Sequence, residues 1–129
     1  MGCDIHIAIE CRTYAPEVYP DDWDFVCGID EDRHYKLFGL MAGVRGDEQM
    51  FEPRGMPEHL CSYTEHYFHD FDGWDHTPSW LGADELFCVA TRMMELDDQA
   101  KHTPLFGVVG VFVDHYGIDN VRVVFGFDS

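Results

Sequence analysis

The residues best suited to chemistry open the chain, in the run MGCDIHIAIECR. Its alternation predicts a strand that places Asp4, His6 and Glu10 on one face and apolar residues on the other. Carboxylates and an imidazole at this spacing suit a divalent cation such as Zn²⁺, Mn²⁺ or Mg²⁺. Glu10 is the weakest candidate, because Ala8 interrupts the row and Arg12 offers Glu10 an ionic partner. The alternative is a half-exposed strand face whose polar side chains only meet water.

A second group of possible metal ligands lies between 59 and 76, in HLCSYTEHYFHDFDGWDH. If residues 57–69 form a helix, Glu65 and His69 share one of its faces at i,i+4. The run could hold a metal, although its spacing matches neither a zinc site nor an EF-hand. The other interpretation is an ordinary acidic, aromatic loop. Four of the eight histidines of the chain fall in this run: His59, His66, His69 and His76.

Basic residues are scarce, and their distribution along the chain is uneven. Of the eight, four lie close together in the sequence: Arg33, Lys36, Arg45 and Arg54. Guanidinium groups bind phosphate or carboxylate through two parallel hydrogen bonds. We therefore expect Arg33, Arg45 and Arg54 to bind a small anionic ligand. The alternative is structural ion pairing with some of the 25 acidic residues.

The net charge of −17 limits the classes of partner. A field of this sign repels phosphate, so direct binding of nucleic acid or of an anionic membrane is not expected. The charge could serve solubility or salt adaptation, attract metal ions, or imitate nucleic acid as a decoy. The five cysteines form no CxxC pair, and the sequence shows no signal-peptide pattern and no apolar membrane span. Free thiols in a reducing cytoplasm are therefore expected.

The pattern of apolar residues predicts a single α+β domain over all 129 residues. The last predicted helix is rich in valine, but its apolar residues follow helical spacing between Thr103 and Gly117. The expected fold is a small sheet that contains both terminal strands, with about three helices on one face. The segment 46–82 is expected to form a long irregular loop layer. We expect strands at 3–12, 23–27 and 121–127, and helices at 33–45, 57–69, 83–97 and 103–117.

Several motifs together resemble a family of small, uncharacterised bacteriophage and bacterial proteins. They are MGCDIH at the N-terminus, RHYKLFGLMAGVR, PRGMP, DHTPSWL and the terminal VRVVFGFD. This chain departs from the family pattern at His34, where a small polar residue is usual. The resemblance implies a cytoplasmic, phage-type protein and no particular activity. It draws attention to Cys3, Asp4, His6, Arg33, Arg45, Pro53, Gly55, Pro57, Asp75, His76 and Ser79.

These observations combine into one hypothesis about function. A cleft between the first strand and the long loop would bind a small anionic, nucleotide-like molecule and could contain a divalent metal. If the protein is an enzyme, the reaction would be metal-assisted hydrolysis by Asp4, His6 and His76. If it is not, the same cleft would sequester a nucleotide. The expected metal ligands are Asp4, His6, Asp75 and His76. The expected ligand-binding residues are Arg33, Arg45, Arg54 and Ser79.

The main rival hypothesis is a protein without chemistry. In it the chain is an acidic decoy that inhibits a nucleic-acid-binding or defence protein of the host. A decoy needs carboxylates spread over an exposed face, and its affinity for the partner should fall with added salt. A ligand-binding cleft instead needs Asp4, His6 and Arg33 to converge. A small structural or assembly protein is a third option, and the sequence does not predict the oligomeric state.

Overall fold

The computed structural model describes residues 2–70 and 75–129, with the side chain of Asp70 left undescribed. Its principal elements are β1 (Asp4–Cys11), β2 (Asp24–Asp30), α1 (Tyr35–Ala42), α2 (Ser62–Asp70), β3 (His76–Gly82), α3 (Ala83–Glu95), α4 (Pro104–Tyr116) and β4 (Val121–Asp128). Short 3-10 turns at Gln99–His102 and Ile118–Asn120 flank α4. Among these described elements, no helix is both long and apolar enough to cross a membrane.

The four strands form one antiparallel sheet in the order β2-β1-β4-β3. The first and last strands of the chain are therefore its two central strands, as the sequence predicts. Every residue of β4 from Val121 to Phe127 is buried. A strand covered on both faces is expected to read as a nearly continuous apolar run. The sequence VRVVFGF fits this environment, with Arg122 as the exception that needs a partner.

Both faces of the sheet are covered, but not equally. Helices α1, α3 and α4 pack on the face that carries the larger core, which confirms the prediction of about three helices on one side. On the opposite face, α2 buries Phe68 against Ala8 and Val124. The loop before α2 completes this thinner second layer. The larger core contains, from the two central strands, Ile5, Ile7, Ile9, Phe125 and Phe127.

The segment 46–82 is less irregular than predicted, because its last residues form the edge strand β3. The pairing of β3 with β4 shifts register between His76 and Ser79. Such a bulge breaks the alternation of side chains on which strand prediction depends. Pro78 lies within this strand and is tolerated there because β3 is an edge strand. Because of these two irregularities, the sequence pattern did not predict this strand.

The helix boundaries follow local capping signals. The valine-rich segment is helical, as predicted, and Thr103 Oγ1 accepts a hydrogen bond from the Leu105 N–H at 3.3 Å to begin α4. Helix α1 is shorter than the predicted 33–45. It ends at Ala42 because Gly43 turns the chain with a φ of 73°. Helix α2 begins at Ser62, so the residues from 57 to 61 belong to the preceding loop.

Candidate functional site

Three of the four predicted metal ligands lie on strands, and these three are divided between the two faces of the sheet. Asp4 pairs with Asp128 across β1 and β4, and His6 lies on the same face two residues along. His76 instead pairs with Phe127 and stacks on its ring, with the centroids 6.0 Å apart. Phe127 belongs to the larger core, so the strand pairing places His76 on the face opposite to Asp4 and His6.

The side chains at the start of β1 mostly satisfy one another. Arg33 Nε donates to Asp4 Oδ1 at 2.7 Å, and this hydrogen bond lowers the pKa of Asp4. His6 Nε2 lies 3.6 Å from Asp128 Oδ2 and is a buried nitrogen without a hydrogen bond in the described part of the chain. Within residues 2–70 and 75–129, no group of three or more His, Cys, Asp or Glu is arranged to hold a metal.

The histidine-rich run does not gather its ligands in the part that the structure describes. His66 and His69 are exposed on α2, and residues 71–74 lie outside the described ranges. Asp75 is exposed, and its N–H donates to the carbonyl of Phe127 at 2.9 Å. The two ring nitrogens of His76 contact the hydroxyl groups of Thr77 at 2.9 Å and Ser129 at 3.0 Å.

The predicted ligand-binding arginines are also divided. Arg33 is at Asp4, and the guanidinium of Arg45 lies 5.9 Å from the centroid of the nearby Tyr35 ring. Arg54 lies elsewhere, in the loop before α2, against Trp80 of β3 and Glu85 of α3. Its backbone N–H donates to Ser79 Oγ at 3.0 Å, and its guanidinium donates to Glu85 Oε1 at 2.7 Å. Arg54 therefore contacts Ser79, whereas Arg33 contacts Asp4 and Arg45 lies near Tyr35.

Glu10 has a structural role that its sequence position did not reveal. Its side chain is fully buried, and its carboxylate accepts hydrogen bonds from Arg122 Nε at 2.8 Å, Thr64 Oγ1 at 2.5 Å and the Cys61 N–H at 2.9 Å. The prediction that Arg12 is its ionic partner is wrong, because Arg122 faces it directly across the two central strands. Burial lowers the pKa of Arg122, and the Glu10 charge opposes this effect.

Next to this buried pair lies a cleft of about 540 Å³, which contains three of the eight basic residues of the chain. Its walls come from both ends of the β1–β2 loop, the loop before α2, β3 and β4. The cleft is polar and aromatic together, a combination typical of sites for small molecules. The side chains that define its character are Arg12, Arg54, Arg122, Trp23 and Trp80, with Asp21, Glu58 and His59 also in the lining.

Guanidinium groups lie against both tryptophans of the cleft. The Cζ atoms of Arg12 and Arg122 are 4.6 and 4.1 Å from the centroid of the Trp23 ring. Arg54 Cζ is 4.8 Å from the centroid of Trp80. Each contact is within the range of a cation–π interaction, worth about 0.5–2 kcal/mol depending on exposure. The cleft therefore has flat walls in which positive charge and aromatic surface are adjacent.

Arg12 differs from the other two arginines of the cleft. Arg122 is neutralised by Glu10, and Arg54 by Glu85, whose hydrogen bond raises the pKa of Arg54. Arg12 donates to Asn120 Oδ1 at 3.1 Å and to the carbonyls of Pro20, at 3.0 Å, and Asp119. Within the described residues, no carboxylate is paired with it. Its guanidinium is thus held in place by neutral acceptors while its charge remains available to a ligand.

The carboxylates of the cleft lie at Asp21 and Glu58, both of which are exposed. Asp21 Oδ1 is 3.6 Å from His59 Nε2, in an exposed contact that is charged only when the imidazole is protonated. These acids offset the charge of Arg12, and both lie at exposed positions. A ligand with a modest negative charge is therefore better suited to this cleft than a polyphosphate.

Comparison with models of protein families, with curated proteins and with solved structures found no match to this chain. The family resemblance of its motifs consequently stays a prediction. The function of the cleft must therefore be inferred from the positions of its side chains, most of which were not predicted from the sequence. Arg12 and Trp23 come from the β1–β2 loop, Trp80 from β3 and Arg122 from β4. The scarcity of basic residues was the one sequence signal that pointed to these arginines.

Proposed function

We propose that this protein binds a small anionic ligand with a planar group, of about the size of a nucleoside monophosphate. The ligand would lie in the cleft between Trp23 and Trp80. The observation that carries this proposal is the position of Arg12. Its guanidinium lies on Trp23, bonds only to neutral acceptors among the described residues, and keeps its charge in a protein of net charge −17.

The cleft offers both kinds of contact that such a ligand needs. A planar ring can stack on an indole or on a guanidinium plane, and stacking of one base contributes about 1–3 kcal/mol. A phosphate or carboxylate group can accept hydrogen bonds from Arg12, which are stronger than neutral ones. The volume of about 540 Å³ falls within the range of about 300–1,000 Å³ that is usual for small-molecule sites.

Electrostatics restricts the charge of the ligand. Asp21 and Glu58 line the same cleft as Arg12, so each added phosphate gains attraction from one free guanidinium but meets two carboxylates. The long-range field of the protein also repels a polyanion before it arrives. These effects favour a monophosphate over a triphosphate and over a nucleic acid strand.

Calorimetric titration of the protein with adenosine monophosphate, adenosine, inorganic phosphate and adenosine triphosphate tests this proposal. We expect the monophosphate to bind more tightly than each of its two halves, because both kinds of contact are needed. The triphosphate should bind more weakly than the monophosphate. If the monophosphates of all four common nucleosides give no heat at millimolar concentration, the proposal is wrong.

Hydrolysis is a separate proposal, because it needs a metal near Asp4 and His6 and a nucleotide bound at that end of β1, about 20 Å along the strand from Glu10 and the cleft. It draws support from two features of the sheet end: Asp4 faces Asp128 across the strands, and His6 Nε2 is buried without a hydrogen bond in the described part of the chain. Metal analysis of protein purified without a histidine tag tests it, together with an assay for released phosphate. The Asp4→Ala variant should lose phosphate release and keep nucleotide binding. Protein that binds the nucleotide but contains no metal and releases no phosphate would limit the function to sequestration.

A further inference from the structure

A second unusual surface lies on the loop between β1 and β2, in residues 12–23. Three large apolar side chains of this loop are mostly in contact with solvent: Tyr14 is 70% exposed, Val18 62% and Tyr19 50%. The rings of Tyr14 and Tyr19 stack on each other, with centroids 5.9 Å apart. Apolar groups gathered on one exposed loop mark an interaction site more often than an ordinary surface. Tyrosine is also among the residues enriched in interfaces.

Hydrogen bonds within the chain support the course of this loop. The N–H groups of Val18 and Tyr19 both donate to the carbonyl of Ala15 at 2.9 Å. Arg12 Nη1 donates to the carbonyl of Pro20 at 3.0 Å and fixes the far end of the loop. A surface that is already ordered loses less conformational entropy when a partner binds. The three apolar side chains are therefore presented in an arrangement that is ready for contact.

Negative charge surrounds this apolar surface. Glu17, Asp21 and Asp22 are exposed on the same loop. A groove of about 440 Å³ runs from Asp21 and Asp22 to Asp24 and Tyr63, and the Tyr63 side chain is 73% exposed. Asp24 accepts a hydrogen bond from Thr13, and no Lys or Arg is among the described residues that line the groove. Carboxylates beside aromatic rings are the surroundings that a lysine or arginine side chain prefers.

We propose that residues 14–24 dock a segment of a partner protein that carries Lys or Arg side chains beside large apolar ones. The apolar side chains of the partner would cover Tyr14, Val18 and Tyr19, and its cationic groups would enter the groove. Charge complementarity selects this partner, because the whole chain is strongly acidic and the apolar patch is bordered by carboxylates. The inference does not depend on the proposed function, but Asp21, Trp23 and His59 line both the groove and the nucleotide cleft. It gives the decoy hypothesis a defined surface.

Amide-resolved NMR with three synthetic peptides of equal length tests the docking surface. The peptides contain lysine with leucine, glutamate with leucine, and lysine with serine. We expect the lysine–leucine peptide to bind most tightly and to shift the resonances of residues 13–24 and Tyr63. Added salt should weaken the binding. The double variant Tyr14→Ser/Tyr19→Ser should lower the affinity at least about tenfold, as expected when two interface anchors are removed.

Val111→Ser is the matched control, because Val111 is 65% exposed on α4, away from the loop. This variant should bind the lysine–leucine peptide like the unaltered protein. Equal binding by the Tyr14→Ser/Tyr19→Ser variant would overturn the proposal, as would equal binding of the glutamate–leucine peptide or no binding at millimolar peptide. Analytical ultracentrifugation additionally measures whether the protein self-associates. Self-association that the tyrosine substitutions abolish would show that the occupant is a second copy, and the proposed basic partner would be wrong.

Discussion

The carboxylate of Glu10 accepts a hydrogen bond from Arg122 Nε at 2.8 Å, across the first and the last strand of the chain. Both side chains are almost completely buried. The pair therefore joins the two ends of the sequence at the centre of the sheet. The Arg122 Cζ also lies 4.1 Å from the centroid of Trp23, so the cation of this ion pair forms part of the cleft wall. Arg122 therefore serves both the pairing of the central strands and the shape of the cleft.

Removal of one partner of this pair should destabilise the protein strongly. Arg122→Met leaves the Glu10 carboxylate buried without its cation, which should lower the free energy of unfolding by about 3–5 kcal/mol. The double variant Glu10→Gln/Arg122→Met should cost less than the sum of the two single changes, because neither charge is then left unpaired. Urea unfolding of the four proteins measures this coupling. A loss below about 1 kcal/mol for Arg122→Met would show that the pair is not buried as described.

The ion pair of Arg54 and Glu85 should make stability depend on pH. The hydrogen bond from Arg54 lowers the pKa of Glu85, and both side chains are more than two-thirds buried. Because the pKa is lower in the folded state, the pair stabilises the protein above the ordinary glutamate pKa, and this contribution is lost as the pH falls through the lowered value. Glu85→Gln should cost about 1 kcal/mol at neutral pH and almost nothing in acid below that value.

The control for this prediction is Asp84→Asn, which removes an exposed carboxylate from the same helical turn. The comparison needs chemical denaturation at several pH values. A difference between the unaltered protein and Glu85→Gln that is constant from neutral pH to strong acid would contradict the assigned role of Arg54.

Gly2 should control the ionisation of Asp4. A Cβ atom on Gly2 would lie 1.8 Å from Arg33 Nη1, so Gly2→Ala must displace the guanidinium from its contact with Asp4. The pKa of Asp4 should then rise toward its ordinary value, because the Arg33 hydrogen bond is the main cause that lowers it. NMR titration of the Asp4 carboxyl group measures this change.

Gly107→Ala is the matched control for Gly2→Ala. A Cβ at Gly107 meets no other atom within 4 Å, so the substitution should leave the Asp4 titration unchanged. If the two alanine variants titrate alike, the contact of Arg33 with Gly2 does not control Asp4.

The rate at which each cysteine is modified should show whether β1 is buried in the native protein. Cys88 is exposed on α3, whereas Cys3, which precedes β1, and Cys11, which ends it, are buried in the larger core. Burial raises the pKa of Cys11 to about 12, which leaves almost no thiolate at neutral pH. We expect a disulfide reagent to modify Cys88 quickly in the native protein and to reach Cys11 only after unfolding. Mass spectrometry of the labelled peptides, with Cys88→Ser as a control, identifies each site. Rapid native labelling of Cys11 would contradict the buried position of β1.

The parts of the fold that the sequence predicts are those with an undisturbed pattern. β1 and β4 alternate or stay apolar along their length, and α3 and α4 keep helical spacing over three turns or more. β3 was missed because a bulge and Pro78 interrupt its alternation. Strand prediction relies on regular alternation of apolar and polar residues. One extra residue in an edge strand breaks this alternation, so the strand is not recognised.

The candidate site could be predicted only in part, for a different reason. The side chains of Asp4 and His6 lie on one face, as the alternation of β1 requires. The approach of Arg12 to Trp23 and of Arg54 to Trp80 depends on how loops cross the sheet. No spacing within one segment carries that information. The buried partner of Glu10 is likewise more than a hundred residues away in the sequence.

The most direct test of the proposed function compares the affinity of Arg12→Gln and Arg33→Gln for adenosine monophosphate by calorimetry. Both variants remove one guanidinium, but only Arg12 lines the cleft, whereas Arg33 lies at Asp4. We expect Arg12→Gln to bind at least about tenfold more weakly, because a charge-assisted hydrogen bond to the ligand is lost, while Arg33→Gln binds normally. Thermal unfolding of both variants verifies that each one is folded. Normal binding by Arg12→Gln together with weakened binding by Arg33→Gln would contradict the account and place the ligand at the start of β1.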